Sequence, residues 1–292
     1  MPDRRALGAA LELLKPVTWF APMWAFGCGA VSSGVPLGRC WPVAILGMVL
    51  AGPLMCGASQ AINDWFDRDV DRINEPGRPI PSGRLPGLWG LRIAAAWMVL
   101  ALAVSTLLGP WVWGTALFGM VLAWVYSAPP LRLKRSGWLG PAAVGLSYEG
   151  LPWFAGAAAC SGALPDGRIV AVAALYSLGC HGIMCLNDFK AVEGDRRQGV
   201  RTLPVQLGMN RACRLACVVM VVPQLAVAGL LVWWNRPLGA AAIDALVVVQ
   251  LCLMPRLLRD PRAEAPRYNA TGTLCFVLGM LGAAIALRGG FG

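Results

Sequence analysis

Windows of about 20 mostly apolar residues, the length needed to cross a bilayer as a helix, recur nine times along the chain. They lie near Pro16–Gly34, Trp41–Ile62, Leu91–Gly109, Pro110–Ala128, Gly140–Ser161, Ile169–Leu186, Ala212–Trp233, Pro237–Met254 and Ala270–Leu287. The pattern predicts an all-α membrane protein: a single polytopic domain of nine transmembrane helices over residues 1–292, capped by polar loops. The opening stretch Met1–Lys15 has no long apolar core and no small-residue cleavage site, so it does not read as a signal peptide. It predicts a short amphipathic helix on the membrane surface.

Composition agrees and narrows the class. Hydrophobic residues make up 57% of the 292 and charged residues only 14%, against roughly 25% in soluble domains. That excludes disorder, and the length excludes a disulfide-built scaffold. The 10 Cys are scattered through apolar segments without paired C-x-x-C motifs and read as small packing residues.

Charge adds a direction. Of the 25 Lys and Arg, only Arg39, Arg168, Arg236 and Arg288 fall on one side of the nine-span arrangement; the other 21 share the opposite side. The positive-inside rule then puts the N-terminus and the loops after even-numbered spans in the cytoplasm, and the C-terminus outside. The net charge of +10 is thus a topology signal. No compact basic domain or aromatic-basic motif outside the spans supports nucleic-acid binding.

The acids are concentrated. Eight of 15 lie in two stretches: Asp64, Asp67, Asp69, Asp71 and Glu75 after span two, and Asp188, Glu193 and Asp195 after span six. Both carry the pattern Asn-Asp-aromatic-x5-Asp-Arg, as Asn63-Asp64-Trp65 with Asp71-Arg72 and as Asn187-Asp188-Phe189 with Asp195-Arg196. Such repetition suggests two related halves facing a central cavity. Asn63, Asp67 and Asp71 are spaced by four, so on a helical continuation of span two they stack along one face; Asp188 and Asp195, seven apart, share a face as well. Stacked carboxylates repel unless cations intervene, and Mg²⁺ prefers such hard oxygen ligands, commonly one or two carboxylates with substrate phosphates. A merely solvated loop does not account for the repetition. An EF-hand loop is excluded by Arg72 at its sixth position and Arg78 at its twelfth. A cation-conducting ring fits poorly because Arg68, Arg72, Arg78, Lys190, Arg196 and Arg201 are interleaved with the acids.

Asn63-x3-Asp67-x3-Asp71 followed by Asn74-Glu75-Pro76-Gly77-Arg78-Pro79-Ile80-Pro81-Ser82-Gly83 closely resembles the first signature of the UbiA-type intramembrane prenyltransferases. Asn187-Asp188-Phe189-Lys190, Glu193-Gly194-Asp195-Arg196 and Thr202-Leu203-Pro204 resemble the second. Tyr126-Ser127-x-Pro129-Pro130-x-Arg132-Leu133-Lys134-Arg135 resembles a third, basic loop. The similarity runs over essentially the whole chain and is greatest to the chlorophyll synthase branch, in the pattern of bacteriochlorophyll synthases of purple phototrophs. Where many quinone-prenylating relatives have a further Asp in the second signature, this chain has Ala191, so their metal count is not carried over.

The resemblance implies a UbiA-type fold in a bacterial inner membrane. It also implies transfer of a geranylgeranyl or phytyl group from its diphosphate to the propionate carboxylate of bacteriochlorophyllide, with Mg²⁺ as cofactor. Asn63, Asp67, Asp71, Asp188 and Asp195 would hold metal, with Asp64 and Asn187 as auxiliary ligands. Arg78, Lys134, Lys190 and Arg201 are the implied phosphate contacts, followed by Arg68 and Arg72. Because the acceptor is already a carboxylate, no strong base is required. Intramembrane carboxylates are costly and usually face an interior pathway; Glu149 is therefore a candidate acceptor-site residue, with Tyr148 and Tyr126 as neighbours. His181, the one His in the chain, reads first as an internal hydrogen-bonded histidine and second as a ligand to the pigment's magnesium. The alternatives are prenylation of chlorophyllide or a quinone precursor, and, in a different class, a cation-binding transporter.

The orientation is testable. A single cysteine placed at Asp69 or Arg197, with the native cysteines removed, should react with a membrane-impermeant maleimide only from the cytoplasmic face. Labelling only from the periplasm would overturn both orientation and span count.

Overall fold

The computed structural model describes residues 4–289. Helix α1 (Arg4–Leu13) and a short 3₁₀ turn (Pro16–Thr18) lead into α2 (Phe20–Ser32). Next, α3 (Leu37–Val49), a π-helical stretch (Leu50–Cys56) and α4 (Gly57–Asn74) form one continuous column, with Pro53 inside the π segment. α5 (Trp89–Thr106) and α6 (Pro110–Ser127) follow. A second interrupted column comprises α7 (Leu139–Gly145), a π turn (Leu146–Gly150) and α8 (Leu151–Ser161). α9 (Gly167–Asp188), the short cap helices α10 (Val192–Arg197) and α11 (Leu203–Leu207), and then α12 (Met209–Trp233), α13 (Pro237–Arg259) and α14 (Pro261–Arg288) complete the bundle.

The all-α expectation holds. Helix occupies each of the nine predicted positions, but by length and composition six of the described helical columns are long and apolar enough to cross a membrane. These are Leu37–Asn74, Trp89–Thr106, Gly167–Asp188, Met209–Trp233, Pro237–Arg259 and Pro261–Arg288. α2 has only 13 residues, and α6 and the α7–α8 column carry aromatic and polar groups that dilute their apolar content.

Lipid tails are as apolar as Leu, so helices in a membrane associate through close packing and buried polar pairs rather than by hydrophobic sorting. α2 and α8 use the first device. A Cβ on Gly29 would run into the Trp153 carbonyl oxygen, and one on Gly156 into that of Phe26, so the two backbones touch at matched glycines. Trp153, fully buried, donates to Ser32 Oγ (3.1 Å) and stacks on Tyr176 of α9, which meets Phe276 of α14 edge-on. α12 and α13 use the second device: Gln224 and Gln250, both fully buried, exchange amide hydrogen bonds of 3.1 and 3.0 Å.

α1 is amphipathic as expected. Ala9, Leu13 and Leu14 are buried with Ala61, Ile62 and Ala94 of α4 and α5, whereas Leu7 and Leu11 are exposed. A bidentate Glu12–Arg84 pair (2.6 and 2.9 Å) fastens it to the loop after α4. That loop therefore folds over the bundle end where α4 emerges.

Substituting Gly156 with Leu should force α2 and α8 apart and cost about 1–3 kcal/mol, read as a lower unfolding temperature in detergent. Gly282, where an added Cβ meets nothing within 4 Å, should accept Ala with little change.

Candidate active site

α4 does not stop at the apolar boundary. It continues to Asn74, so Asn63, Asp67 and Asp71 form a ladder along about 12 Å of one helix face. Cations from three other chain segments meet that face. Lys134, in the 3₁₀ turn Leu133–Arg135, contacts Asp67 Oδ1 at 2.6 Å and donates to Asn63 Oδ1 at 2.9 Å. Arg132 Nη2 donates to Asp67 Oδ1 (2.9 Å) and to the Phe66 carbonyl (3.1 Å). Arg78 donates to Asp71 Oδ2 (2.8 Å) and Glu75 Oε2 (2.6 Å), and more distantly to Asp64 (3.4 Å). Lys15, just after α1, donates to Asp64 Oδ1 at 2.6 Å, and Asp64 is only 2% exposed. The like-charge repulsion of stacked acids is thus relieved by basic side chains.

The balance of burial and charge differs among these cations. Burial lowers the Lys134 ammonium below the usual lysine range, with neighbouring Asp67 offsetting only part of that. Burial also works against the Arg78 charge, but Glu75, Asp64 and Asp71 outweigh it, and its guanidinium is held above the ordinary arginine value.

The second acidic motif is differently placed. Asp188 ends α9 and Asp195 lies on α10. Neither has a cationic partner within ion-pair distance among the described residues. Burial raises the Asp195 carboxyl above the ordinary aspartate range, although Thr202 Oγ1 donates to it at 3.2 Å. Asn187 Oδ1 accepts from Asn269 of α14 (2.9 Å). The Tyr126 ring of α6 lies near enough to both Asp67 and Asp188 to feel their charge.

Between them the capping loops are laced together. Gly137 N donates to the Arg201 carbonyl (2.7 Å), and Arg201 N donates to that of Arg135 (3.0 Å). A Cβ on Gly137 would press into the backbone of Thr202 and Leu203, so the close approach requires glycine.

Near this charged rim, where α4 begins, is an apolar cavity of about 590 Å³, lined among others by Phe26, Met55, Val112, Gly119 and Leu151. Tyr148, Cys56 and Ser59 also line it, and the Tyr148 hydroxyl accepts from Gln60 Nε2 at 2.8 Å. Both π segments contribute lining residues; such irregular turns often accompany functional sites.

The sequence-derived candidates separate accordingly. Asn63, Asp64, Asp67, Asp71, Arg78 and Lys134 converge as expected, and Tyr126 lies near both Asp67 and Asp188. Tyr148 is in the cavity wall. Glu149 is 5% exposed, with Oε2 unpartnered, but it sits near Cys28 and Cys180 and is not among the lining residues. His181 is buried against Trp138 (ring centroids 5.8 Å apart) and the Gly137 backbone, and its Nε2 has no hydrogen-bond partner. Arg68 stacks over Trp65 at 4.5 Å, Arg72 pairs with exposed Asp69, and Lys190 is exposed. Arg201 joins the loop laced to Gly137 rather than the acidic ladder. Sequence reading missed Lys15, because nothing local ties residue 15 to residue 64. It also gave Arg132 no role of its own, although Arg132 lies in the basic loop.

Among the described residues no three His, Cys, Asp or Glu side chains converge on a point that could hold a metal ion. The donor set still suits Mg²⁺: it consists of hard carboxylate and amide oxygens, and Mg²⁺ is commonly held by one or two carboxylates together with phosphate oxygens. The fit is thus to a metal that arrives with a phosphorylated ligand.

The model of the UbiA prenyltransferase family matches residues 18–274. The chain belongs to the UbiA prenyltransferase family. Among curated relatives, the bacteriochlorophyll synthase 33 kDa chain of Cereibacter sphaeroides is 58% identical over 99% of this chain and 95% of its own length. The chloroplastic chlorophyll synthase of Oryza sativa is 40% identical over 94% of this chain and 76% of its own. The UbiA fold is equally evident in solved structures. A digeranylgeranylglyceryl phosphate synthase superposes with TM-score 0.75 at 20% identity, covering 97% of this chain and 99% of that one. A UbiA homologue from Archaeoglobus fulgidus bound to DMAPP and Mg²⁺ gives 0.72 at 20% identity, covering 94% and 99%. This UbiA family member is accordingly an all-helical prenyltransferase of the membrane.

Replacing Lys15 with Ala should leave the buried Asp64 carboxylate with only its longer Arg78 contact. The expected loss is about 1–2 kcal/mol of α1 docking, discounted for the partial exposure of Lys15. Amide exchange across residues 4–15 should rise roughly tenfold, whereas exchange in α12–α14 should not change.

Proposed function

We propose that the protein transfers a geranylgeranyl or phytyl group from its diphosphate to the propionate carboxylate of bacteriochlorophyllide, in a Mg²⁺-dependent reaction. The single observation that carries this reading is the acid–base ladder on α4 beside an apolar cavity. It offers a charged seat for a diphosphate and an apolar volume for its tail. The 58% identity to a bacteriochlorophyll synthase supports the pigment as acceptor, and a UbiA homologue bound to DMAPP and Mg²⁺ supports the donor class and metal.

The reaction needs little acid–base chemistry. An oxygen of the acceptor carboxylate bonds to C1 of the prenyl chain while the C1–O bond to diphosphate breaks, its electron pair leaving with the diphosphate. No proton moves. The demands are to stabilise the leaving group and exclude water, which competes with the acceptor for an allylic cation. Lys134, Arg132 and Arg78 already converge on the ladder, and phosphate oxygens entering there would exchange with Asp67 and Asp71 as their partners. The released carboxylates, with Asn63 on one side and Asp188 and Asp195 on the other, would hold Mg²⁺, which supplies charge neutralisation to the departing diphosphate. Asp64, tied to Lys15 and Arg78, orients Arg78 rather than ligating metal. Asn187 positions the end of α9 through Asn269.

The tail lies in the 590 Å³ cavity, since leaving it in water would cost about 0.8 kcal/mol per CH₂. Nine membrane crossings in a single domain, with the ladder and basic loops at the cytoplasmic face of a bacterial inner membrane and the C-terminus opposite, complete the reading. It rests on the 21-to-4 distribution of basic residues.

Purified protein supplied with geranylgeranyl diphosphate, bacteriochlorophyllide and Mg²⁺ should form the ester, and chelation should stop it. Asp67→Ala and Asp71→Ala should each lower turnover by about a hundredfold or more while the protein stays folded in the membrane. Near-normal turnover of either variant at limiting Mg²⁺ would remove the metal role from α4. Prenylation of chlorophyllide in strong preference to bacteriochlorophyllide would move the acceptor assignment to the related pigment.

A further inference from the structure

A second opening lies on the loop side of the acidic ladder. It is a cleft between the basic loop after α6 and the segment entering α11, about 670 Å³ including its mouth open to solvent. Its wall combines three guanidinium groups, Arg132, Arg135 and Arg201, with four large apolar side chains, Leu131, Leu133, Trp138 and Leu139. Leu131, Trp138 and Leu139 are 65%, 48% and 56% exposed, so the rim is an apolar surface left open beside concentrated positive charge.

The cations here differ from those on the ladder. Lys134 and Arg78 are already matched to Asp67 and Asp71. Arg135 and Arg201 form no ion pair among the described residues. Arg135 spends one N–H on the Gln198 carbonyl (3.1 Å), and among the described residues no side-chain hydrogen bond ties down the Arg201 guanidinium. Their N–H groups are therefore free to bind an incoming anion directly, without first releasing a carboxylate. They suit a bare anion of low charge that brings its own apolar surface. Arginine is well shaped for that task, because its planar fork donates two N–H groups to both oxygens of a carboxylate.

Arg132 joins the two sites. Its Nη2 is bound to Asp67 on the ladder, its side chain lines the cleft, and its Nε is buried without a partner. Trp138 gives the cleft an aromatic wall and is backed by the His181 ring at 5.8 Å. A flat ring system seated there would stack on the indole with its acid group directed along the arginines toward the ladder.

We propose that this cleft is the docking site of the acceptor: a planar, apolar macrocycle bearing one carboxylate, its ring stacked on Trp138 and its acid held by Arg201 and directed toward Arg132. The inference rests on the reaction proposed above and adds to it the place from which the acceptor approaches. It also gives Arg201 an acceptor role instead of a phosphate one.

The test uses full-length protein in nanodiscs with Arg201→Gln, Arg201→Lys and Trp138→Leu. Pigment binding without donor is followed by the shift of the bacteriochlorophyllide absorption band, and turnover kinetics are taken for both substrates. Arg201→Gln should raise the acceptor Kd and KM about tenfold or more, as for loss of a charge-assisted hydrogen bond. Arg201→Lys should recover part of that. Trp138→Leu should weaken pigment binding and alter the bound absorption band. In every variant the KM for geranylgeranyl diphosphate should stay within about twofold, which also reports an intact fold. A raised donor KM with unchanged pigment binding would overturn the proposal, as would displacement of pigment from the wild-type protein by inorganic diphosphate or by anionic lipid vesicles. Absence of any esterification by the wild-type protein would overturn the reaction reading and the docking site together. Wild-type turnover with an unaltered acceptor KM in Arg201→Gln and Trp138→Leu would overturn the docking site alone.

Discussion

Acids stacked on one helix face cannot stand without counter-charge, and the rest of the charged cap is arranged around that constraint. Asn63, Asp64, Asp67 and Asp71 project from α4, and Lys15, Arg78, Arg132 and Lys134 meet them from three different stretches of chain. Each contact also fixes a loop. Lys15 holds α1 against α4 and α5, Arg78 folds the loop after α4 back over its own helix, and Lys134 with Arg132 anchors the loop after α6. A ladder satisfied by movable cations is stable without ligand and remains exchangeable.

The membrane part supplies what the ladder needs from behind. Matched glycines bring α2 and α8 into backbone contact, and the Trp153–Tyr176–Phe276 stack carries that packing through α9 to α14. With these columns fixed, the two π segments place Cys56 and Tyr148 on the wall of an apolar cavity close to the start of α4. Charge above and apolar volume below suit a substrate with a multiply charged head and a long hydrocarbon tail.

The two acidic motifs, alike in sequence, are not alike in space. The first is neutralised by its surroundings; in the second, on α9 and α10, Asp195 and Asn187 have Thr202 and Asn269 as polar neighbours, and among the described residues neither Asp188 nor Asp195 has an ion-pair partner. Trp65 of the first is partly exposed beneath Arg68, whereas Phe189 of the second is buried in the main core. The pattern Asn-Asp-aromatic-x5-Asp-Arg therefore specifies a repeated local element, and its surroundings give each copy a different task.

The sequence alone determined what depends on short-range regularity. Apolar windows of membrane length marked every long helix, because hydrogen bonding in lipid leaves the chain few other choices. A spacing of four placed Asn63, Asp67 and Asp71 on one face, because helical pitch does so wherever the helix continues. The loop motifs carried the family. Tertiary structure decided which distant groups meet those faces. Lys15 and Asp64 are 49 residues apart, and no periodicity connects them. Arg201 looked equivalent to Lys134 as a basic residue in a signature loop, yet backbone pairing with Arg135 and Gly137 draws it into the cleft beside Trp138. Glu149 was legible as a costly buried acid, but only packing showed it near Cys28 and Cys180 and absent from the cavity lining. A side chain's type and spacing are local properties; its partner depends on how loops far apart in the chain close over the same end of the bundle.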